Sequence, residues 1–109
     1  MIMDEVQRTE INEIVNNIVS SVPVLEIYLF GSFAKGNERE DSDYDFYVVI
    51  PDDTGMRELE ASRLINRGIP QRTRGIDMIV GTQSKFTRRK DYFYSIEKEI
   101  METGVKLYG

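Results

Sequence analysis

The sequence predicts an α+β fold, an α/β sandwich in which helices pack mainly on one face of a mixed β-sheet. Amphipathic segments of helical period alternate with short runs rich in β-branched and aromatic residues, the pattern of helices layered on a sheet. The chain has 109 residues, which suits one domain spanning 1–109, since separate cores rarely appear below ~250 residues. It contains no internal repeat, low-complexity tract or linker.

The elements follow in order. Residues 4–22 predict a helix, with Ile11, Ile14, Val15, Ile18, Val19 and Val22 at the spacing of one helical face. Asp4 and Gln7 form a capping-box start and Pro23 a stop. Residues 24–30 predict a strand. Gly31 to Gly36 predict a turn into a short helix closed by Gly36. A polar loop over 37–42 leads to a second strand over 43–50. After the loop at Pro51–Gly55, residues 56–67 predict a helix with Leu59, Leu64 and Ile65 inward, stopped by Gly68 and Pro70. Residues 74–80 predict a third strand. A helix from about Lys90 to Thr103 is expected to use Phe93, Ile96, Ile100 and Met101 as its apolar stripe. Val105 to Tyr108 predict a short edge strand.

Composition narrows the chemistry. There is no cysteine and no histidine. That excludes disulfide scaffolds, thiolate zinc sites, Cys nucleophiles, His-based triads and imidazole ligation. Catalysis must run on carboxylates, hydroxyls, Lys, Arg, Tyr or a bound cation, and any metal should be a hard ion held by oxygen. The formal net charge is −5. It is unevenly spread: the stretch from Arg57 to Lys90 holds nine basic and three acidic residues, a net of +6, leaving −11 elsewhere. Net acidity argues against duplex-DNA binding. The basic stretch fits either a salt-bridged, solvated surface or a phosphate-bearing ligand. The N-terminus Met1-Ile2-Met3-Asp4-Glu5 has neither a basic nor an apolar leader pattern, and no apolar run reaches the ~18 residues of a membrane span. The expected setting is cytoplasmic, with no membrane association.

The stretch that carries chemistry runs from Phe30-Gly31-Ser32-Phe33-Ala34-Lys35-Gly36 to Ser42-Asp43-Tyr44-Asp45. Gly31-Ser32 stands at a strand-to-helix junction, where glycine lets backbone approach a ligand and the first N–H groups of a helix can face an anion. Alternatively, Ser32 only caps the helix. The loop is not a Walker A motif, because Asn37-Glu38 occupies the Lys-[Ser/Thr] positions. Asp43 and Asp45, at i and i+2 on a strand, project from one face about 7 Å apart along the rise. Two such carboxylates repel unless a cation bridges them, an arrangement suited to Mg²⁺; the other reading is a solvated acidic turn. A calcium loop is excluded, because Phe46 replaces the required Gly and Asp52 the required Glu. Asp77 interrupts the apolar run Ile76–Val80. Either it pairs with Arg72 or Arg74, or it joins Asp43 and Asp45 on a neighbouring strand to form a two-metal site.

Gly-Ser, ten residues, Asp-x-Asp and a later strand Asp together resemble the DNA polymerase beta-like nucleotidyltransferase superfamily. The likeness is to its minimal nucleotidyltransferase (MNT) branch and extends to the ending Ile96–Tyr108. The resemblance implies the nucleotidyltransferase fold as a single domain. Gly31 and Ser32 would hold the β- and γ-phosphates of a nucleoside triphosphate. Asp43 and Asp45 would bind two Mg²⁺ ions. Asp77 would bind the catalytic ion and help activate the attacking hydroxyl. Phe33 stands where many relatives carry Arg, and Lys35 would supply that charge.

The implied reaction is NMP transfer from a nucleoside triphosphate, ATP in this reading, with loss of pyrophosphate. The resemblance also implies a partner, since many MNT proteins are antitoxins paired with a HEPN-type ribonuclease toxin and some adenylylate it. Residues 31–80 account for the nucleotide site and leave little chain for an acceptor-binding domain. The acceptor is therefore expected to be a docking protein, or a second subunit completes the site. Two alternatives are a catalytically silent binding module and a small-molecule nucleotidyltransferase.

Overall fold

The first helix, α1 (Glu5–Ser21), starts where the sequence requires. The Asp4 carboxylate accepts from the Gln7 N–H while the Gln7 side chain accepts from the Asp4 N–H, a reciprocal capping box. The helix stops because Pro23 forces Val22 into extended backbone. The computed structural model describes residues 4–70, 72 and 74–109; the reading of Met1 to Met3 lies outside them.

The remaining elements are β1 (Glu26–Phe30), α2 (Gly31–Lys35), β2 (Tyr44–Ile50), α3 (Glu58–Arg67), β3 (Ile76–Thr82), α4 (Gln83–Arg89), α5 (Ile96–Thr103) and β4 (Val105–Tyr108). The four strands form one mixed sheet in the order β3-β2-β1-β4. β1 runs antiparallel to both β2 and β4, while β2 and β3 are parallel and joined through α3.

The alternation of side chains along β2 divides the core into two layers. Tyr44, Phe46, Val48 and Ile50 join Ile27 and Leu29 of β1 beneath Ile11, Ile14 and Ile18 of α1, Phe33 of α2, and Ala61 and Ile65 of α3. The opposite face places Tyr47 and Val49 with Tyr28 and Phe30, covered by Phe86 of α4 and Ile100 of α5. The longest helices thus share one face, and the second face carries only the short α4 and α5. Because β2 is covered on both sides, its apolar run is nearly continuous, and Asp45 is its one acidic break.

Two expectations about packing are corrected. The predicted helix from about Lys90 to Thr103 is replaced by a turn over 90–95 and the shorter α5, and an unpredicted helix, α4, precedes them. Thr82 and Ser95 each accept from the N–H three residues on, so two N-caps start two helices. Phe93, Ile96 and Met101 are consequently exposed, and Ile100 alone of the predicted stripe is buried. In α3 the start shifts to Glu58, and Leu59 points to solvent. Position 59 lies about 200° around the helix from the buried Ala61. Among the described residues, no helix is long and apolar enough to cross a membrane.

Candidate active site

Strand register brings the sequence-predicted residues together. Asp45 is the parallel partner of Asp77 across β2 and β3, and the antiparallel partner of Phe30 on β1. Phe30, Asp45 and Asp77 thus form a row across three strands, and Gly31, the first residue of α2, follows at its β1 end. Gly31 has φ +73° and lies under the Asp45 carboxylate, with which any Cβ there would collide. Glycine is thus required twice at this position, by backbone conformation and by space.

Asp43 sits one residue before β2, two before Asp45, where the ladder is extended by the Tyr44 N–H donating to the Gly75 carbonyl at 2.9 Å. A Cβ on Gly75 would collide with the Asp43 carboxylate. A second glycine therefore makes room for a second carboxylate. Arg74 fixes the approach to it. Its Nη1 donates to the carbonyls of Arg39, Glu40 and Ser42 at 2.8, 2.9 and 3.0 Å, and its guanidinium lies 4.9 Å from the centre of the Phe33 ring. Arg74 is thus a clamp on the loop before Asp43. Among the described residues no ion pair joins it, or Arg72, to Asp77. The isolated salt-bridge reading of Asp77 gives way to the carboxylate cluster.

The electrostatics report the crowding. Partial burial, then the charges of Asp77 and Asp43, then a hydrogen bond shared with Asp77 push the Asp45 carboxyl up to about 6, with Glu99 adding to the effect. Among the described residues no set of three carboxylates forms a ready-made metal cage. The cluster instead offers hard oxygen donors on a few carboxylates. That suits Mg²⁺, which takes much of its octahedral shell from water and substrate phosphates. The donor set, the mutual repulsion and the two glycine cradles all fit such an ion.

Ser32 does not cap α2. The N-cap position is Phe30, and Ser32 lies inside the first turn, so the capping expectation is corrected. Among the described residues its hydroxyl has no hydrogen-bond partner. Gly36, at φ +75°, closes the helix as expected. Lys35 points across to α5 and pairs with Glu99 at 2.7 Å, with both side chains about two-fifths exposed.

The floor beside the cluster is a polar network that sequence reasoning missed. Tyr47, two residues after Asp45 and on its face, donates to the buried Glu97 at 2.7 Å, and Arg89 Nε donates to the same carboxylate at 3.0 Å. Burial would raise Glu97, but the bonds from Tyr47, its own backbone and Arg89 outweigh it and hold the carboxyl below its ordinary range. The same burial, with Glu97 beside it, pushes the Tyr47 phenol far up. Gly81 leaves space for the Tyr47 hydroxyl. Part of the basic stretch is consumed structurally: Arg74 in the clamp, Arg89 on Glu97 and Lys85 on Glu58. Glycines next to chemistry-bearing positions were the one local signal; the partners of Arg74, Glu97 and Glu99 are set by tertiary contacts alone.

Comparison with known proteins addresses the family and the fold. The sequence matches the nucleotidyltransferase domain family over residues 9–107. No curated protein matches it significantly. Among solved structures, a candidate nucleotidyltransferase from Sulfolobus solfataricus superposes with a TM-score of 0.56 at 24% identity, covering 80% of this chain and 82% of the other. A toxin–antitoxin complex with AMP-PNP gives 0.59 at 20% identity, covering 90% and 72%. A mutant of the toxin–antitoxin MntA–HpeT gives 0.56 at 18% identity, with the same coverage. These likenesses establish the fold, and the family match covers nearly all of the chain. The chain belongs to the nucleotidyltransferase domain family.

Proposed function

We propose that residues 1–109 act as one Mg²⁺-dependent nucleotidyltransferase domain that transfers AMP from ATP to a hydroxyl of a partner protein. The partner in this reading is a HEPN-type toxin, and the chain is its antitoxin. The observation that carries the activity is the pairing of Asp45 with Asp77 in one strand register, with Asp43 beside them and glycine cleared beneath two of the three carboxylates. The toxin–antitoxin fold likeness supports the choice of partner.

The roles follow from position. Gly31 and Ser32 receive the β- and γ-phosphates at the first turn of α2, where helix N–H groups have no intrahelical acceptor. Lys35 leaves Glu99 to neutralise phosphate charge. Asp43 and Asp45 would hold two Mg²⁺ ions, with Asp77 as a further ligand of the catalytic one. When bound, these ions neutralise charge on the phosphates and favour ionisation of the acceptor hydroxyl. The acceptor oxygen bonds to the α-phosphorus, the bond from that phosphorus to the bridging oxygen of the β-phosphate breaks, and pyrophosphate leaves with the electron pair. Asp77, on the edge strand β3, takes the hydroxyl proton on the side open to an incoming acceptor.

The test is incubation with labelled ATP, Mg²⁺ and the product of the neighbouring gene, followed by mass spectrometry of both proteins. AMP on the partner is the expected product. An unmodified partner that the chain still neutralises, including as D43N/D45N, would assign the effect to contact alone.

A further inference from the structure

We infer that the groove between α2 and α5 receives the nucleoside of the substrate, with Phe93 and Tyr94 as its stacking platform. The inference rests on the nucleotide reading above and adds where the base and sugar lie.

The groove has a volume of about 460 Å³ and is lined by Lys35, Phe93, Tyr94, Lys98 and Glu99 among others. That volume is within the range of small-molecule sites. Its aromatic wall is unusual. Phe93 is 76% exposed and Tyr94 94% exposed, and their rings meet edge to face with centres 4.6 Å apart. Tyr94 has φ +67°, and is the only non-glycine with positive φ among the described residues. A bulky side chain persists in that region only where its surroundings over-determine it.

The turn supplies that constraint. Ser95 is buried; its hydroxyl donates to the Arg89 carbonyl at 2.6 Å and accepts from the Lys98 N–H at 3.0 Å. The Tyr92 N–H donates to the Arg89 carbonyl at 2.9 Å, and the Ser95 N–H to the Tyr92 carbonyl at 3.1 Å. The backbone is therefore tied down on both sides of two rings that are themselves left open to solvent.

The groove adjoins the carboxylate cluster. Lys35, at its α2 end, is on the same five-residue helix as Gly31 and Ser32. Glu99, from α5, meets Lys35 at 2.7 Å and so ties the groove to the helix that begins at Gly31. A nucleotide with its phosphates at Gly31–Ser32 thus has an aromatic surface for its base within the adjoining groove, and Glu99 and Lys98 for its ribose hydroxyls. Stacking on aromatic faces accepts any base, whereas charged side chains at the rim suit the sugar.

The test is calorimetric titration of the full chain and of the F93A/Y94N variant with Mg²⁺ plus either ATP or inorganic tripolyphosphate. Asn tolerates the left-handed backbone at position 94, and both positions are exposed. The variant is expected to lose at least about tenfold in ATP affinity, the size of one stacking contact, and to bind tripolyphosphate as the wild type does. Retained tripolyphosphate binding doubles as the check that the variant is folded. Unchanged ATP affinity, or an equal loss for both ligands, would overturn the inference. A wild type that binds tripolyphosphate and not ATP would overturn it while sparing the phosphate site. A wild type that binds neither would remove the nucleotide reading itself.

Discussion

Asp45 carries a charge that its burial and the neighbouring carboxylates disfavour, and a proton or a bound cation relieves it. Its carboxyl titrates near 6, against about 3.9 in an unfolded chain, so the folded state binds the proton more tightly. The associated stabilisation is complete below the unfolded value and is lost as pH rises from about 4 through 6. After discounting for solvent screening, it amounts to about 1–2 kcal/mol. In metal-free buffer the melting temperature is therefore expected to carry a downward component across that window, which D45N removes. An identical pH profile for D45N would place the charge strain elsewhere. Glu97 works in the opposite sense: its carboxyl is held low, so its contribution is present above the unfolded value and fades as pH falls through the folded one. Gly31 offers a steric test at the same scale. Gly31→Ala puts a methyl group into the Asp45 carboxylate and strains a positive φ, so it should abolish transfer while Gly55→Ala, at a positive φ with open space around it, should not.

At the scale of elements, the clamp and the polar floor set where the carboxylates stand. Arg74→Met removes three hydrogen bonds from the loop before Asp43. It is expected to cost about 1–3 kcal/mol in urea unfolding and to lower turnover more than folded fraction, because Asp43 loses its anchor. Turnover unchanged per folded molecule would reduce Arg74 to a loop tie. Tyr47→Phe leaves the buried Glu97 short of one donor and is expected to cost about 1–3 kcal/mol.

These elements also show what was legible in advance. The capping box, Pro23 and Gly36 act through neighbours in sequence, and their readings match the structure; of the apolar period of α1, Ile11, Ile14 and Ile18 are buried as read, while Val19 is exposed. Asp43, Asp45 and Asp77 were readable because alternation on a strand fixes which residues share a face. α4 was missed because Gln83–Arg89 has one buried apolar residue, Phe86, and so no stripe to detect. The exposed Phe93 was misread as core because hydrophobicity alone does not reveal that a Ser95 cap ends the turn behind it. The Arg74 clamp spans more than thirty residues, and no local pattern encodes it.

For the whole molecule, the division of charge has a structural outcome. Asp43 and Asp45 of the acidic remainder meet Asp77 of the basic stretch at one end of β2 and β3, while part of that basic stretch is spent on internal pairs with Glu58 and Glu97. Mg²⁺ with ATP should accordingly stabilise the fold by binding the native state alone, by about 2.7 kcal/mol when ligand exceeds its Kd a hundredfold. Thermal melts with and without the pair check this, and the gain should shrink in D45N. β3 lies at the sheet edge and Asp77 upon it is exposed, a placement in keeping with the proposed protein acceptor.

The most direct measurement of the central claim follows the two ends of the triphosphate separately. The chain, Mg²⁺ and the neighbouring gene product are incubated with ATP labelled at either the α- or the γ-phosphate. Label in the partner from the α-phosphate alone, absent with D77N, is the result expected of carboxylate-based AMP transfer. Label from the γ-phosphate, or α-label undiminished in D77N, would contradict it.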